Sequence, residues 1–307
     1  MLQGIQKVAA QVGAIVVGKQ PQIRLALACL LARGHLLVED LPGVGKTTLA
    51  HALANALGLD FKRVQFTNDL LPADITGATI YRRDAEKFTF MPGPVFAQML
   101  LADEINRASP KTQSALLEAM EERQVSVEGR PHRLPNPFFV MATQNPQDQI
   151  GTFPLPESQL DRFLMCIELG YPDPKSERAL LEGEDRREQI AALGPQIHAE
   201  ELIAAQAAVR EIRTSAPLLD YVQNLLTHSR RSPLFSEGLS PRAGLALLQA
   251  ARAWAMLDGR NHVLPDDVQA VITPVAGHRL KPARGAAHSH RARGEMVAEL
   301  VKAVAVP

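Results

Sequence analysis

The sequence predicts an α/β fold, a parallel sheet flanked by helices, followed by an all-helical domain. Three observations carry this. The stretch LLVEDLPGVGKTTLAHAL, residues 36–53, reads as strand, glycine-rich loop, helix. From there to residue 169, short apolar runs alternate with segments of helical period, the signature of βα units. After GYPDPKSE, residues 170–177, the chain turns to Ala/Leu/Arg-rich helices with few strand signals. The expected division is residues 1–172 and 173–307.

Taken in order, Pro21 to Arg33 is a helix on the spacing of Ile23, Leu27, Leu30 and Leu31. Leu36-Leu37-Val38 is a buried strand, and Thr48 to Leu57 a helix. FKRVQF (61–66), the end of VFAQMLLADE (95–104), FFVMATQNP (138–146) and RFLMCIEL (162–169) are further strands. Residues 109–123 form a helix opened by Ser109 and Pro110. Two segments, 74–93 and 124–137, alternate apolar and polar residues around a turn and read as hairpins inserted between these elements. In a parallel sheet of this kind ligands sit at the carboxyl ends of the strands.

Composition excludes several classes. Thirty-three basic and 33 acidic side chains give a formal net charge of zero, so no global field draws the chain to nucleic acid or an anionic membrane. Cys29 and Cys166 are far apart, lack metal-ligand spacing, and are expected to be core thiols in a reducing compartment. No window approaches 18 uninterrupted apolar residues, and the start of the chain has no secretory pattern, so a cytoplasmic protein without membrane insertion is expected. HExxH, Cys/His and GxSxG patterns are absent from the sequence.

Within the loop Pro42-Gly43-Val44-Gly45-Lys46-Thr47-Thr48, the two glycines free the backbone to turn its N–H groups toward phosphate oxygens. Lys46 adds a point charge, Thr47 a hydroxyl for Mg²⁺, and the following helix its positive end. Asp40 stands where the GxxxxGK[ST] pattern has its first glycine. At the strand end it contacts phosphate least, yet an acid beside an anion is expected to weaken binding.

Asp103 and Glu104 end an apolar strand in the order that ATP hydrolysis requires: one acid for Mg²⁺ through its water shell, the next to deprotonate the attacking water. An ordinary pair of capping acids is the alternative. Asn145 would hold that water if its strand adjoins the acid-bearing one; otherwise it satisfies turn backbone. Arg162, far from the loop in sequence, suits action on a neighbouring subunit's γ-phosphate, or a surface pair with Asp161 or Glu157. Arg242 sits in the first turn of a helix capped by Ser240, where a cation opposes the dipole, so either an external anion explains it or it is a simple surface residue. His288 and His290 flank a serine in the basic loop 281–294, a weak metal pattern. Arg279, Lys281, Arg284, Arg291 and Arg293 form a basic segment that touches nucleic acid or an acidic partner, or is a solvated loop.

EDLPGVGKTTLA, DLLPADITG, MPGPVFAQMLLADEINRASPKTQSALLEAMEERQV, ATQNP and GTFPLPESQLDRFLM together resemble the MoxR family of AAA+ ATPases over nearly the whole chain. The resemblance implies a P-loop NTPase core with a helical lid, ATP and Mg²⁺ as cofactors, and Asp-Leu-Pro-Gly as a normal start of the loop. It further implies Walker A roles for Lys46 and Thr47, Walker B for Asp103 and Glu104, sensor 1 for Asn145, arginine finger for Arg162 and sensor 2 for Arg242. Val17 and Gly18 match the place that holds adenine, and the two hairpins match inserts that point toward a central pore. Family members are described as hexameric, chaperone-like motors acting with von Willebrand factor A domain proteins in maturation or metal insertion. The expected function is therefore an ATP-hydrolysing ring that remodels a protein client. A nucleic-acid motor of the related helicase type, or an assembly scaffold with slow turnover, are the alternatives.

Overall fold

The structure, a computed structural model, describes residues 2–84, 86–146, 151–182, 186–283 and 290–307. Helix α1 (Leu2–Ile15) forms on a stripe of Ile5, Val8, Val12 and Ile15, spaced three and four apart and buried. Helix α2 (Gln20–Leu31) follows and leads into strand β1 (Leu36–Glu39), the phosphate loop, and α3 (Lys46–Ala56). Next come β2 (Phe61–Gln65), the short α4 (Pro72–Thr76), and the first expected hairpin, β3 (Gly77–Arg82) with β4 (Lys87–Pro92). Strand β5 (Met99–Asp103) precedes α5 (Pro110–Glu122), whose cap Ser109 accepts the Thr112 N–H at 3.3 Å. The second expected hairpin is β6 (Gln124–Val127) with β7 (Arg130–Arg133), followed by β8 (Phe139–Gln144), α6 (Glu157–Leu160) and β9 (Met165–Ile167).

The main sheet has the order β2-β5-β8-β1-β9, parallel throughout. Two-residue alternation sends neighbours to opposite faces. Leu36, Val38, Leu101 and Met141 pack under α1, α2 and α3, whereas Leu37, Leu100, Val140 and Ala142 pack with Leu116 and Leu117 of α5. Strands buried on both faces read as continuous apolar runs, which is why MLLA and FVMA carry no alternation. Cys29 and Cys166 are buried free thiols, and burial raises both above the ordinary range.

Beyond Pro174 the chain is helical: α7 (Pro174–Glu182), α8 (Arg186–Ala191), α9 (Ala199–Arg210), α10 (Ala216–Arg231), α11 (Pro241–Leu257), α12 (Pro265–Ala276) and α13 (His290–Lys302). One departure from the helical expectation is the two-stranded antiparallel pair of β10 (Phe235–Glu237) with β11 (Lys281–Pro282). Lys281 stabilises it by pairing with Glu237 at 2.8 Å. The apolar core that starts under β1 continues without a break through α9, α11, α12 and α13, so the helices are seated on the nucleotide-loop side of the sheet.

Candidate functional site

The loop between β1 and α3 is built on left-handed backbone at Gly43 (φ 84°) and Gly45 (φ 97°), a region closed to most side chains. Lys46 Nζ lies within the loop, donating to the carbonyls of Asp40 at 2.6 Å and Leu41 at 3.0 Å. Burial lowers its pKa, and the charges of Asp40, Asp103 and Glu104 oppose that shift. Asp40 does not face the loop's anion site with its carboxylate, contrary to the expectation of a repulsive acid. Its Oδ2 accepts the N–H groups of Leu169 at 2.7 Å and Gly170 at 2.6 Å, and its Oδ1 that of Leu41 at 2.8 Å. The acid ties the root of the loop to the end of β9.

The order of the sheet puts β8 between β5 and β1, so the carboxyl ends bearing Asp103, Asn145 and Asp40 lie side by side. The Asp40 N–H donates to Gln144 O at 3.1 Å. Asp103 is 7% exposed; Thr143 Oγ1 donates to its Oδ1 at 2.6 Å, and Arg63 Nη2 to its Oδ2 at 2.7 Å. Glu104 takes left-handed backbone (φ 55°, ψ 50°), rare for a residue with a Cβ and characteristic of functional strand ends. Its N–H is anchored by Thr143 Oγ1 at 2.9 Å, while Gln65 Nε2 at 2.7 Å and Arg107 Nε at 3.1 Å hold its Oε2. Neither acid caps a helix with its side chain. Asn145 is buried and borders a cavity with Glu39, Asn106 and Arg293.

Beside the loop lies a cavity of about 390 Å³ lined by Val16, Val17, Val44, Thr48, Tyr171 and Leu181 among others. Its apolar walls and size suit a heteroaromatic base. Gly18 is not among the lining residues. Its φ of 75° and its contact with Ser176, whose Oγ would lie 2.4 Å from an added Cβ, make it a packing glycine against α7. Ile15, Val16, Tyr171, Leu180 and Leu181 are wall residues that sequence reasoning missed.

Arg162 and Arg242 lie at the other end of the sheet. Leu164 N–H donates to His35 O at 2.9 Å, just ahead of β1, and Met165 pairs with Leu36, so Arg162 precedes the first residue of β9. The four residues of β1, roughly 13 Å of strand, separate that end from the phosphate loop. There Glu121 pairs with Arg162 at 3.0 Å and with Arg242 at 2.5 Å. The anion expected beside Arg242 is thus supplied within the chain by Glu121, with Asp161 at 3.7 Å. Arg162 pairs with neither Asp161 nor Glu157, because Arg279 takes the first and Lys281 the second.

The basic segment resolves into internal contacts. Arg279 is buried on the 161–164 turn, Lys281 bridges Glu157 and Glu237, and Arg293 binds buried Glu39 at 2.8 Å. Each of these three charges is met by an acid within the chain. Arg284 and His288 lie outside the described residues, as do the side chains of His290 and Arg291. Among the described residues no group of three His, Cys, Asp or Glu forms a metal cluster, and no helix is long and apolar enough to cross a membrane.

Residues 35–165 match the ATPase family associated with various cellular activities (AAA), and residues 227–304 match the AAA lid domain. The chain is 43% identical to Chaperone MoxR1 of Mycobacterium tuberculosis over 289 residues, 90% of this chain and 75% of that protein. It is 36% identical to Protein MoxR of Paracoccus denitrificans, with 88% of this chain and 86% of that protein covered. The chain belongs to the MoxR family of AAA+ ATPases.

Within this MoxR-family chain the identity to the Bacillus subtilis protein YeaC is 45%, over 98% of this chain and 94% of that one. The crystal structure of a candidate ATPase from Cytophaga hutchinsonii superposes with a TM-score of 0.90 at 34% identity, covering all of this chain and 96% of the other. AAA+ membership entails nucleotide binding, and the donors present fit Mg²⁺: a hydroxyl at Thr47 and a buried carboxylate at Asp103 are hard oxygen ligands. A divalent ion held mainly by phosphates needs no protein cluster of its own.

Proposed function

We propose that this chain hydrolyses ATP with Mg²⁺ at sites completed between subunits of a ring, a hexamer on family resemblance, and uses turnover to remodel or mature a protein client. The observation that carries the reading is the separation of Arg162 and Arg242 from the phosphate loop by the length of β1. Within one subunit neither arginine reaches the loop. Each subunit then offers a phosphate-binding half at one end of its sheet and an arginine half at the other.

In this reading Lys46 and the backbone N–H groups of residues 43–48 bind the phosphates, Val17 and its neighbours the base, and Thr47 with Asp103 the metal. Mg²⁺, when bound, would supply positive charge that offsets the charge of the phosphates. Glu104 accepts the proton of the attacking water, and Asn145 orients that water from the adjoining strand. Arg162 and Arg242 offset the charge that grows at the neighbour's γ-phosphate. We take residues 1–172 as the nucleotide-binding domain and 173–307 as the lid. A relative named as a chaperone supports a protein client. A von Willebrand factor A domain partner, a role in metal insertion or complex assembly, and a cytoplasmic location extend the proposal.

The test mixes two inactive variants, Arg162→Ala and Glu104→Gln. Some sites in a mixed ring join an intact Glu104 to a neighbour's intact Arg162, so part of the turnover should return. No return, with mixed rings visible by native mass spectrometry, overturns the shared site.

A further inference from the structure

We propose that Arg279, just beyond the C-terminal end of α12, is the positioning residue that holds the turn carrying Arg162 in place for the neighbouring subunit's nucleotide. The proposal rests on the shared site argued above. Arginine presents its donors as a rigid planar fork, so a guanidinium with all but one of its bonds on one turn fixes both the place and the orientation of that turn.

The acceptors bracket Arg162. Nε donates to Asp161 Oδ1 at 2.6 Å, Nη2 to Asp161 O at 3.2 Å and Phe163 O at 2.7 Å, and Nη1 to Leu164 O at 3.0 Å. Nη1 also bonds Val275 O, which ties the fork back to its own helix. The side chain is 6% exposed, so these contacts are made away from water, where losing the partner leaves several acceptors unsatisfied. The adjacent His278 adds a contact from Nε2 to Phe163 O at 3.1 Å. On the far side of the turn, Leu164 N–H is tied to His35 O of the sheet. The backbone on both sides of Arg162 is therefore held from the α12 side by Arg279 and His278 and from the sheet side by His35.

Charges continue the clamp. Asp161 faces Arg279 and, at 3.7 Å, Arg242; Glu121 faces Arg242 and Arg162. Charges of alternating sign thus run Arg279, Asp161, Arg242, Glu121, Arg162, crossing between the lid helices and the sheet domain. A simple domain glue would spread its bonds over the interface; here all but one fall on residues 161–164. A displacement of α12 is thereby passed to the arginine that serves the neighbour.

A misplacement of a catalytic group by 1 Å costs about 10²-fold. Arg279→Gln is expected to lower kcat by about 10- to 100-fold and to leave ATP affinity, measured by calorimetry in the Glu104→Gln background, within about twofold. In the Arg162→Ala background it should cost nothing further, since the group it positions is gone. The decisive comparison uses mixed rings. Arg279→Gln mixed with Glu104→Gln should regain activity, whereas Arg279→Gln mixed with Arg162→Ala should not, because both damage the same half-site. Asp161→Asn, which keeps the shape and removes one acceptor charge, should show the same pairing pattern and serves if Arg279→Gln does not fold. If Arg162→Ala complements Glu104→Gln while the Arg279 and Asp161 variants do not, the positioning role is overturned and the shared site survives. If neither pair complements, both are overturned.

Discussion

The carboxylate of Glu121, on the last turn of α5, lies 3.0 Å from Nε of Arg162. The same carboxylate receives Arg242, and these arginines hold its pKa below the usual carboxylate range. The two cations proposed to meet a neighbour's phosphate thus share one acid within the isolated subunit.

Phosphate must displace that acid, so Glu121→Gln should let the arginines engage nucleotide more readily. A partly exposed ion pair is worth about 0.2–1 kcal/mol, which sets both the gain and the small stability cost. ATP-driven assembly, followed by mass photometry, is expected to reach half-maximum at about two- to fivefold lower ATP. An unchanged or higher ATP requirement would show that Glu121 aligns the arginines rather than competing for them.

Asp40 offers a test in which restoring a sequence pattern harms the protein. Asp40→Gly recreates the first glycine of the GxxxxGK[ST] loop, but removes an acceptor for the N–H groups of Leu41, Leu169 and Gly170. Leaving such groups short of partners costs about 1–3 kcal/mol each where they are buried. Urea unfolding should show a loss of at least about 2 kcal/mol, with ATP affinity falling as the loop root loosens. Equal stability with tighter ATP binding would restore the view of Asp40 as a repulsive acid.

Glu104→Gln should bind ATP and fail to turn it over. The amide keeps the shape and its contact with Gln65, but cannot accept a proton. Lys46→Ala should instead abolish binding itself, because no other loop side chain carries a cation to the phosphates. Calorimetry and phosphate release separate the two outcomes, and normal turnover by Glu104→Gln would assign the base elsewhere.

Chemistry that depends on neighbours in sequence was legible before the fold. Gly43, Gly45 and Lys46 announce an anion loop, and the pair Asp103–Glu104 at the end of an apolar run announces the acid strand. Whether β8 adjoins β5 is left open by the sequence, and the strand order settles it by placing them side by side. Contacts closed across the fold were not legible. Nothing near Asp40 in sequence points to Leu169, and nothing near Arg162 or Arg242 points to Glu121. Arg279 reads as part of a basic run because charge counts do not reveal burial. Tyr171 and Leu181 join the base cavity from beyond the parallel strands, where no motif marks them. Helix α1 is the opposite case, since its Ile5, Val8, Val12 and Ile15 stripe stands in the sequence and is simply absent from the expected elements.

His35 joins β1, β8 and α5 at the arginine end of the sheet, accepting the Val140 N–H on Nδ1 at 3.0 Å with Nε2 3.4 Å from Met120 O. Accepting the Val140 N–H requires a bare Nδ1 and hence a neutral ring, and burial, helped by nearby Arg123, pushes its pKa down to about 3. Burial also lowers His278 well below its ordinary value. A base whose folded pKa is depressed binds its proton more readily when unfolded, so acid favours unfolding. Stability is complete above the unfolded value near 6.5 and falls with pH through the window between there and the folded values. His35 contributes a slope of about 1.4 kcal/mol per pH unit in that window, or about 2 kcal/mol between pH 7 and pH 5. Urea unfolding at the two pH values should show a loss of at least about 2 kcal/mol, to which His278 adds in the same direction. His35→Asn, whose side-chain oxygen accepts the Val140 N–H without titrating, should be less stable at pH 7 yet show a shallower pH slope. A slope unchanged by that substitution would mean that His35 is not a source of the acid sensitivity.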